Sequence, residues 1–153
     1  DADNSTTIDQ FNKMIPYFSA QSGEGYDIVI GSRDIEGAKL IPPQPWYKRM
    51  GGNAGNLIIQ ALLLPGIWDT QCGFKAFTAE AAEKIFPILK TNRWGFDVEV
   101  LSLAKKFGYK IKEVPVVWVN NPFSKVSAAA YLQVLWEVVE IKWWLTTGKY
   151  KNL

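Results

Sequence analysis

The chain has 153 residues, enough for one domain with a sizeable core, and its 48% hydrophobic and 21% charged residues exclude a disordered or low-complexity segment. The formal net charge of +2 is too small to favour nucleic-acid binding, so no nucleic-acid partner is expected. The absence of histidine and the presence of a single cysteine, Cys72, exclude serine–histidine and cysteine–histidine catalysis, histidine metal sites and an internal disulfide.

The N-terminal part of the chain predicts a helix followed by a strand. Apolar residues recur at helical spacing over 7–20, and Thr7 and Gln10 are spaced as a capping box. The β-branched run over 26–30 predicts a buried strand that is halted at Gly31. A helix followed by a strand is typical of an α/β unit.

The middle of the chain predicts a proline-rich loop and a helix that contains glycine. The loop over 34–45 carries apolar residues, so we expect something apolar to cover it. The helix over 46–64 contains glycines that each cost about 1 kcal/mol relative to alanine, which suggests close approach of a backbone or a ligand. A turn and an extended segment follow over 69–77, and then a helix over 79–89.

The C-terminal part predicts a helix, a strand and a longer helix. The first helix covers 96–107 and ends at Gly108, and the strand covers 110–119 with Pro115 at an edge or bulge. The last helix, over 126–145, is predicted to be amphipathic, and charges interrupt its apolar run too often for a membrane span. Its polar face would carry Gln133, Glu137 and Glu140, and its apolar face Leu132, Leu135, Trp136, Val139 and Trp143.

Two carboxylates, Asp1 and Asp3, stand one residue apart at the start of the chain. At the end of an extended strand both would point to the same side. They could then hold Mg²⁺ or Mn²⁺ against a diphosphate, because these ions prefer carboxylate and phosphate oxygens. The alternative is a solvated or helix-capping pair, since Asp before a helix is a common N-terminal feature.

Several cations occupy positions that suit an anionic ligand. Arg33 follows the first predicted strand and would project from the carboxyl edge of the sheet, where open α/β folds place their ligands. Lys48 and Arg49 begin the glycine-containing helix, where they could hold a phosphate together with helix-terminal amides. Each could equally be a surface or snorkelling side chain.

An ordered set of motifs resembles the second half of a family 2 glycosyltransferase of the polyprenyl-phosphate type. The motifs extend over nearly the whole chain, in the family's order. They are DADNST, IVIGSR, DTQCGFKAF, RWGFDVEVL and the Ser124-Lys125 pair after the last strand. The resemblance is closest to the dolichyl-phosphate glucosyltransferases, with dolichyl-phosphate mannose synthase as a more distant relative.

The resemblance implies an α/β fold of the GT-A type, which is Rossmann-like. Residues 1–153 would form a single domain that is the C-terminal part of a catalytic domain, ending in the amphipathic helix. The family's nucleotide-binding N-terminal half would be absent, so the chain looks like a fragment. We therefore expect the isolated chain to bind nucleotide-sugar poorly, to show no turnover and to self-associate through an exposed sheet edge.

The resemblance also implies the roles of individual residues. Asp1 and Asp3 would bind the divalent metal, Mg²⁺ or Mn²⁺, and the donor diphosphate. The residues beside the donor sugar would be Asp69, Gln71 and Gly73. The cations near the acceptor phosphate would be Arg33, Arg49 and Lys125. The catalytic residues would be Asp97, Arg33 and Arg49, with Asp97 and Glu99 as an acidic pair at the floor of the site.

Simpler roles stay open for some of these residues. Asp97 and Glu99 could be first-turn acids that complement a helix dipole, and Gly73 could serve only in a turn. Cys72 is expected to be a small buried residue, because the chain has no histidine to activate it.

The implied reaction is the inverting, metal-dependent transfer of a hexose, expected to be glucose from UDP-glucose, to polyprenyl or dolichyl phosphate. A phosphate monoester has a second pKa of about 6, so the acceptor is already an oxyanion at neutral pH and needs cations more than a general base. The protein would be cytoplasmic and peripheral to the cytoplasmic face of a membrane. Trp143 and Trp144 suit a membrane interface, and packing of their helix on the sheet is the alternative.

Two further functions are compatible with the sequence. The chain could be a non-catalytic fragment or module that binds a membrane surface or a partner through its exposed edge. It could also be a family 2 glycosyltransferase with a soluble sugar acceptor, in which case Asp97 would become the base.

Overall fold

A computed structural model of the chain describes residues 4–18, 25–43, 46–119 and 128–150. Helical elements and strands are interspersed along these residues, which confirms the predicted α/β fold. The strands are β1 (Ile28–Ser32), β2 (Lys39–Ile41), β3 (Lys75–Phe77), β4 (Ile111–Pro115) and β5 (Val117–Val119). The α-helices are α1 (Ile15–Phe18), α2 (Trp46–Leu62), α3 (Ala79–Ile85), α4 (Phe96–Lys106) and α5 (Ala128–Thr146), and 3₁₀ helices cover Ile8–Lys13 and Phe86–Ile88.

The strands form two small sheets that meet at Val116. In the first sheet β1 lies between β3, which is antiparallel to it, and β4, which is parallel to it. The second sheet pairs β2 with β5 in parallel. The Val116 amide donates to the carbonyl of Ser32, and its carbonyl accepts from the Lys39 amide. The single strand predicted over 110–119 is therefore divided between the two sheets.

Strand β1 is the centre of the core because all of its residues are buried. Its side chains alternate between two apolar clusters, as the pleat of a strand requires. Ile28 and Ile30 pack in the larger cluster with residues of α2, α3, α4 and α5, whereas Val29 packs with Met14 and Val114. The strand therefore has packing on both sides, and its carboxyl end is held rigidly.

Gly31 permits a close approach at the carboxyl end of β1. A Cβ atom at this position would lie 2.8 Å from the Cγ1 atom of Val116 and 3.3 Å from the Sγ atom of Cys72. Both neighbours are themselves buried, so a larger side chain could be accommodated only by displacing the core. The residue that follows the buried end of this strand, Arg33, is the first residue of the candidate site.

The helix predicted over 7–20 and its capping box are wrong in detail. Residues Ile8–Lys13 form a 3₁₀ helix, and the Thr7 side chain makes no cap hydrogen bond. Gln10 is buried instead, and its side-chain amide donates to the Val117 carbonyl and accepts from the Val117 amide. This pairing with the backbone of β5 satisfies both polar groups of the buried Gln10 side chain. Ile8, one of the apolar residues at helical spacing, is 78% exposed.

The glycine-containing helix agrees closely with its prediction, because α2 begins at Trp46 and ends two residues before the predicted end. A Cβ atom added to Gly52 or Gly55 would meet no atom of the described chain within 4 Å. Close approach of another backbone segment in the described part of the chain therefore does not account for these two glycines. Close approach of a ligand stays a prediction. The predicted loop over 34–45 contains the short strand β2.

Helix α5 presents apolar residues to both the core and the surface. Val134, Val138 and Ile141 are buried in the larger cluster. The residues of the predicted apolar face lie on the other side of the helix, and four of them are more than half exposed: Leu132, Trp136, Val139 and Trp143. The alternative of core packing is therefore confirmed for one side of α5, including Trp144, which packs against the larger cluster. Membrane contact of the exposed side, which carries Trp143, stays a prediction. None of the helices in the described ranges combines the length and apolar character needed to cross a bilayer.

The two edges of the larger sheet are β3 and β4 as far as the described residues show. Self-association through an open edge stays a prediction.

Candidate functional site

A bidentate ion pair between Arg33 and Asp69 lies at the carboxyl end of β1. The Arg33 Nε atom donates to the Asp69 Oδ2 atom at 2.7 Å, and Nη2 donates to Oδ1 at 2.8 Å. The backbone amide of Arg33 also donates to Oδ2 at 2.9 Å. The Asp69 side chain is only 4% exposed, so this carboxylate is almost fully occupied by one arginine. The geometry is the fork arrangement in which charge-assisted hydrogen bonds are strongest.

Each partner of this pair stabilises the charged form of the other. Burial alone would raise the pKa of Asp69, but the hydrogen bonds and charge of Arg33 outweigh it and lower the pKa below its ordinary value. Burial alone would likewise lower the pKa of Arg33, and the hydrogen bonds and charge of Asp69 raise it instead. The guanidinium also lies 4.7 Å from the ring centroid of Trp118 in β5, a cation–π contact.

A second ion pair links the turn after Asp69 to helix α4. The Lys75 Nζ atom donates to the Asp97 Oδ1 atom at 2.7 Å and to the Cys72 carbonyl oxygen. Lys75 is only 5% exposed, so its charge is compensated by Asp97 and by a backbone dipole. The turn over 69–75 thus has Asp69 at one end and, at the other, Lys75, which pairs with Asp97.

Glu99 does not form an acidic pair with Asp97. It is fully buried, and its carboxylate accepts from the backbone amides of Lys90 and Thr91 and from the Tyr150 hydroxyl. Burial, followed by the hydrogen bond and charge of Glu99, raises the pKa of Tyr150. Two residues along a helix rotate a side chain by more than half a turn, so the acidic pair that the resemblance implied is wrong. Glu99 has a structural role.

Gln71 and Gly73 lie on the turn that joins the two ion pairs. Gln71 is exposed. Gly73 and Lys75 line a cavity of about 390 Å³ whose opposite wall includes Asn4. In the sequence, Asn4 directly follows the Asp1-Ala2-Asp3 motif, which lies outside the described residues.

Cys72 is buried between these residues. Burial, followed by the nearby charge of Asp69, raises the pKa of the Cys72 thiol, so this cysteine is kept in its neutral form. The prediction of a small buried residue is confirmed.

A larger cavity, of about 580 Å³, opens beside Asp97. Its lining includes the aromatic residues Phe86, Trp94 and Phe96 and the cation Arg93. The rings of Phe86 and Phe96 are stacked, with centroids 6.3 Å apart. The cavity therefore combines an apolar wall with charged groups at its rim.

Glu137 connects helix α5 to the segment that lines this cavity. Its buried carboxylate accepts the amide N–H of Gly95 and also accepts from the Gln133 side chain. A Cβ atom on Gly95 would lie 2.9 Å from the Cβ atom of Glu137, so only glycine fits there. Glu137 was predicted on the polar face of α5. It is buried because it satisfies an amide at the start of α4.

Several predicted site residues lie where no side chain is described. Asp1, Asp3 and Lys125 are outside the described residues, and Arg49 belongs to the first turn of α2, of which only the backbone is described. Among the described residues no group of three or more acidic or cysteine side chains could hold a metal ion. The metal prediction, which depends on Asp1 and Asp3, stays a prediction.

Four residues of the site were missed by sequence reasoning. Trp118 contacts the Arg33 guanidinium, and Lys75 forms the ion pair with Asp97. Glu113 and Asn56 hold the turn that carries Asp69. Lys75 lies within the DTQCGFKAF motif, which was a usable signal. Glu113 and Asn56 act through backbone atoms distant in sequence, and no spacing pattern marks such contacts.

Comparison with known proteins confirms the family that the motifs indicated, although no protein-family model matches the chain. The chain is 35% identical over 153 residues to a dolichyl-phosphate β-glucosyltransferase of Dictyostelium discoideum, covering 99% of this chain and 47% of that protein. It is 34% identical over 125 residues to the human dolichyl-phosphate β-glucosyltransferase, covering 81% and 39%. It is 29% identical over 147 residues to the glycosyltransferase AglD of Haloferax volcanii, covering 96% and 23%. The chain spans about half the length of the first of these relatives.

The ion pair predicts how stability depends on pH. Asp69→Asn should lower the free energy of unfolding by about 3 kcal/mol at neutral pH, because Arg33 then has no charged partner in a largely buried position. The folded-state pKa of Asp69 is lowered, so its contribution is present above the ordinary value of 3.8 and is lost as the pH falls through the lower folded value. The difference in the free energy of unfolding between wild type and Asp69→Asn should therefore become smaller in acid.

Urea unfolding of both proteins from about pH 7 down to about pH 2 measures this difference. Asp9→Asn, which alters an exposed carboxylate, is the matched control and should change the free energy by less than about 0.5 kcal/mol. A loss for Asp69→Asn that is equally large at both ends of the pH range would contradict the ion-pair account.

Proposed function

We propose, from the membership of this chain in the family 2 glycosyltransferases, that it is the acceptor-side part of a GT-A catalytic domain. The complete protein would transfer glucose from UDP-glucose to dolichyl or another polyprenyl phosphate, with inversion and without a covalent enzyme intermediate. The observation that carries the proposal is the Arg33–Asp69 pair at the carboxyl end of β1, since ligands of open α/β sheets bind at this edge. The N-terminal half of the domain would supply the pocket for the nucleotide.

The charges at the described site bear on how two anionic substrates would be brought together. Arg33 is balanced by Asp69, and Lys75 is balanced by Asp97, so these four residues contribute no net positive charge. The N–H groups of Arg33 that Asp69 does not accept could still orient an acceptor phosphate. The net positive charge would have to come from Arg49, Lys125 and the metal.

The metal is proposed to bind at Asp1 and Asp3. The cavity between Asn4 and Gly73 supports this, because it puts the residue after this motif opposite the turn that also carries Asp69. Carboxylate oxygens suit Mg²⁺ or Mn²⁺. When bound, such an ion would stabilise the negative charge that develops on the departing nucleotide.

The proposed acceptor is a lipid phosphate, so the catalytic domain would have to contact the cytoplasmic face of a membrane. The exposed face of α5 supports this. Its residues Leu132, Trp136, Val139 and Trp143 follow at intervals of four, three and four, so they form one continuous stripe. Exposed apolar stripes with tryptophan are typical of helices that lie in the interface plane.

Helix α2 extends the same apolar surface. It packs against α5, and Lys142 of α5 donates to the Leu62 carbonyl at the end of α2. Leu57 and Ile58 of α2 are also exposed. Lys48 and the predicted acceptor-phosphate cation Arg49 lie in the first turn of α2, so docking of this surface would bring them to the lipid headgroups.

The transfer reaction is tested in a full-length protein that contains this chain. A panel of nucleotide-sugars and polyprenyl phosphates should give transfer with UDP-glucose and dolichyl phosphate. Arg33→Lys should lower kcat/KM at least about tenfold, because lysine cannot reproduce the bidentate pairing with Asp69. Asp3→Ala should abolish transfer because it removes a metal ligand.

Lys106→Ala, at an exposed position of α4, is the control and should retain full activity. The isolated 153-residue chain should show no transfer, because the nucleotide pocket is shared with the other half. Absence of transfer from every nucleotide-sugar in the full-length protein, or unchanged kinetics of Arg33→Lys, would overturn the proposal.

The membrane surface is tested on the chain itself with vesicles that contain polyprenyl phosphate. The double variant Trp136→Ser and Trp143→Ser should weaken co-sedimentation about tenfold or more, since burial of each large apolar side chain contributes about 1.5–3 kcal/mol. Ile8→Ser changes an exposed apolar residue outside the stripe and should leave binding unchanged. Equal binding of all three proteins would show that α5 is not the docking surface.

A further inference from the structure

The turn between α2 and β3 is held by a carboxylate of strand β4. The Oε2 atom of Glu113 accepts the amide N–H of Trp68 at 2.9 Å, and Oε1 accepts the amide N–H of Asp69 at 3.0 Å. One side chain thus satisfies two successive backbone donors with both of its oxygens. Hydrogen bonds to an ionised acceptor are stronger than those between neutral groups.

A second side chain, that of Asn56 in α2, contacts the same turn. The Nδ2 atom of Asn56, in α2, donates to the Trp68 carbonyl at 2.6 Å, and its Oδ1 atom accepts from the Thr70 hydroxyl at 3.3 Å. Glu113 therefore holds the donors of the turn, while Asn56 holds one of its acceptors. Two separate elements, β4 and α2, determine where the turn lies.

The side chains of Ile67 and Thr70, on either side of Trp68 and Asp69, are buried, but they do not fix the backbone donors of these two residues. Trp68 and Asp69 belong to neither a helix nor a strand, so their backbone groups have no ladder of hydrogen bonds. The Trp68 side chain is about half exposed and adds little packing. The fork contact of Asp69 with Arg33 nevertheless requires the carboxylate to be placed within a fraction of an ångström.

We propose that Glu113 is a positioning residue that sets the Asp69 carboxylate against Arg33 by clamping the backbone of the turn. The inference rests on the proposed function, because it assigns Asp69 to the reaction. Glu113 would act on the reaction only through Asp69. Removal of the Glu113 carboxylate should displace the Asp69 carboxylate. Even a small displacement of a group beside the reacting atoms lowers turnover steeply.

The first experiment needs no activity. Hydrogen exchange of the Trp68 and Asp69 amides is measured in the full-length protein and in Glu113→Gln, which keeps the side-chain shape but loses the charge and one of the two acceptors. Exchange of these two amides should become at least about tenfold faster, while that of Val29 in β1 should not change. Glu83→Gln, at an exposed position of α3, is the matched control.

The second experiment is a kinetic double-mutant cycle in the transfer assay. Glu113→Gln should lower kcat about tenfold in the wild-type background and less than about twofold in the Asp69→Asn background. A residue that served only the stability of β4 would lower kcat by the same factor in both backgrounds. If Glu113→Gln does not fold, Glu113→Asp replaces it, because the shorter side chain keeps the charge but cannot reach both amides from the same backbone position.

The outcomes distinguish failure of the positioning role of Glu113 from failure of the proposed function. Unchanged exchange of the Trp68 and Asp69 amides would overturn the positioning role, and so would equal losses of kcat in the two backgrounds. Absence of transfer in the wild-type protein would overturn the proposed function alone, and the exchange measurement would then decide whether Glu113 positions Asp69.

Discussion

The charge of Asp69 requires a partner, and the arrangement of the site depends on the arginine that supplies it. A carboxylate that is 4% exposed would be strongly destabilising if it were unpaired. Arg33 can reach it only because Gly31 lets the end of β1 pack against Val116 and Cys72 without a side chain in between. The pair therefore fastens the central strand of the larger sheet to the turn after α2.

The same pairing limits what the site can do with anionic ligands. Arg33 and Lys75 both form ion pairs at this site, and each is already balanced by a carboxylate. The proposed transfer needs a surplus of positive charge to join a phosphate acceptor to a diphosphate donor. In the proposed function that surplus would come from the start of α2, from the segment around Lys125 and from a bound metal. The described ion pairs would then serve mainly to orient ligands. The apolar stripe on α5 would bring the lipid to these cations.

Sequence reasoning predicted the parts of the fold that depend on local pattern. The buried strand β1, the helix α4 with Gly108 after it, and the glycine-containing helix α2 all follow from periodicity and end signals. The failures involve long-range hydrogen bonds of polar side chains. Gln10 binds the backbone of β5, Glu137 binds Gly95, and Glu99 binds the backbone at Lys90 and Thr91. Such contacts join residues from different elements and leave no periodic signal in the sequence.

The coupling free energy between Arg33 and Asp69 shows whether the two side chains depend on each other for their charge. A double-mutant cycle of Arg33→Met and Asp69→Asn, followed by urea unfolding at neutral pH, measures it. Each single change leaves one charge without its partner, whereas the double change removes both charges. We therefore expect the double variant to be at least about 2 kcal/mol more stable than the sum of the two single losses implies. Losses that add to within about 0.5 kcal/mol would contradict it.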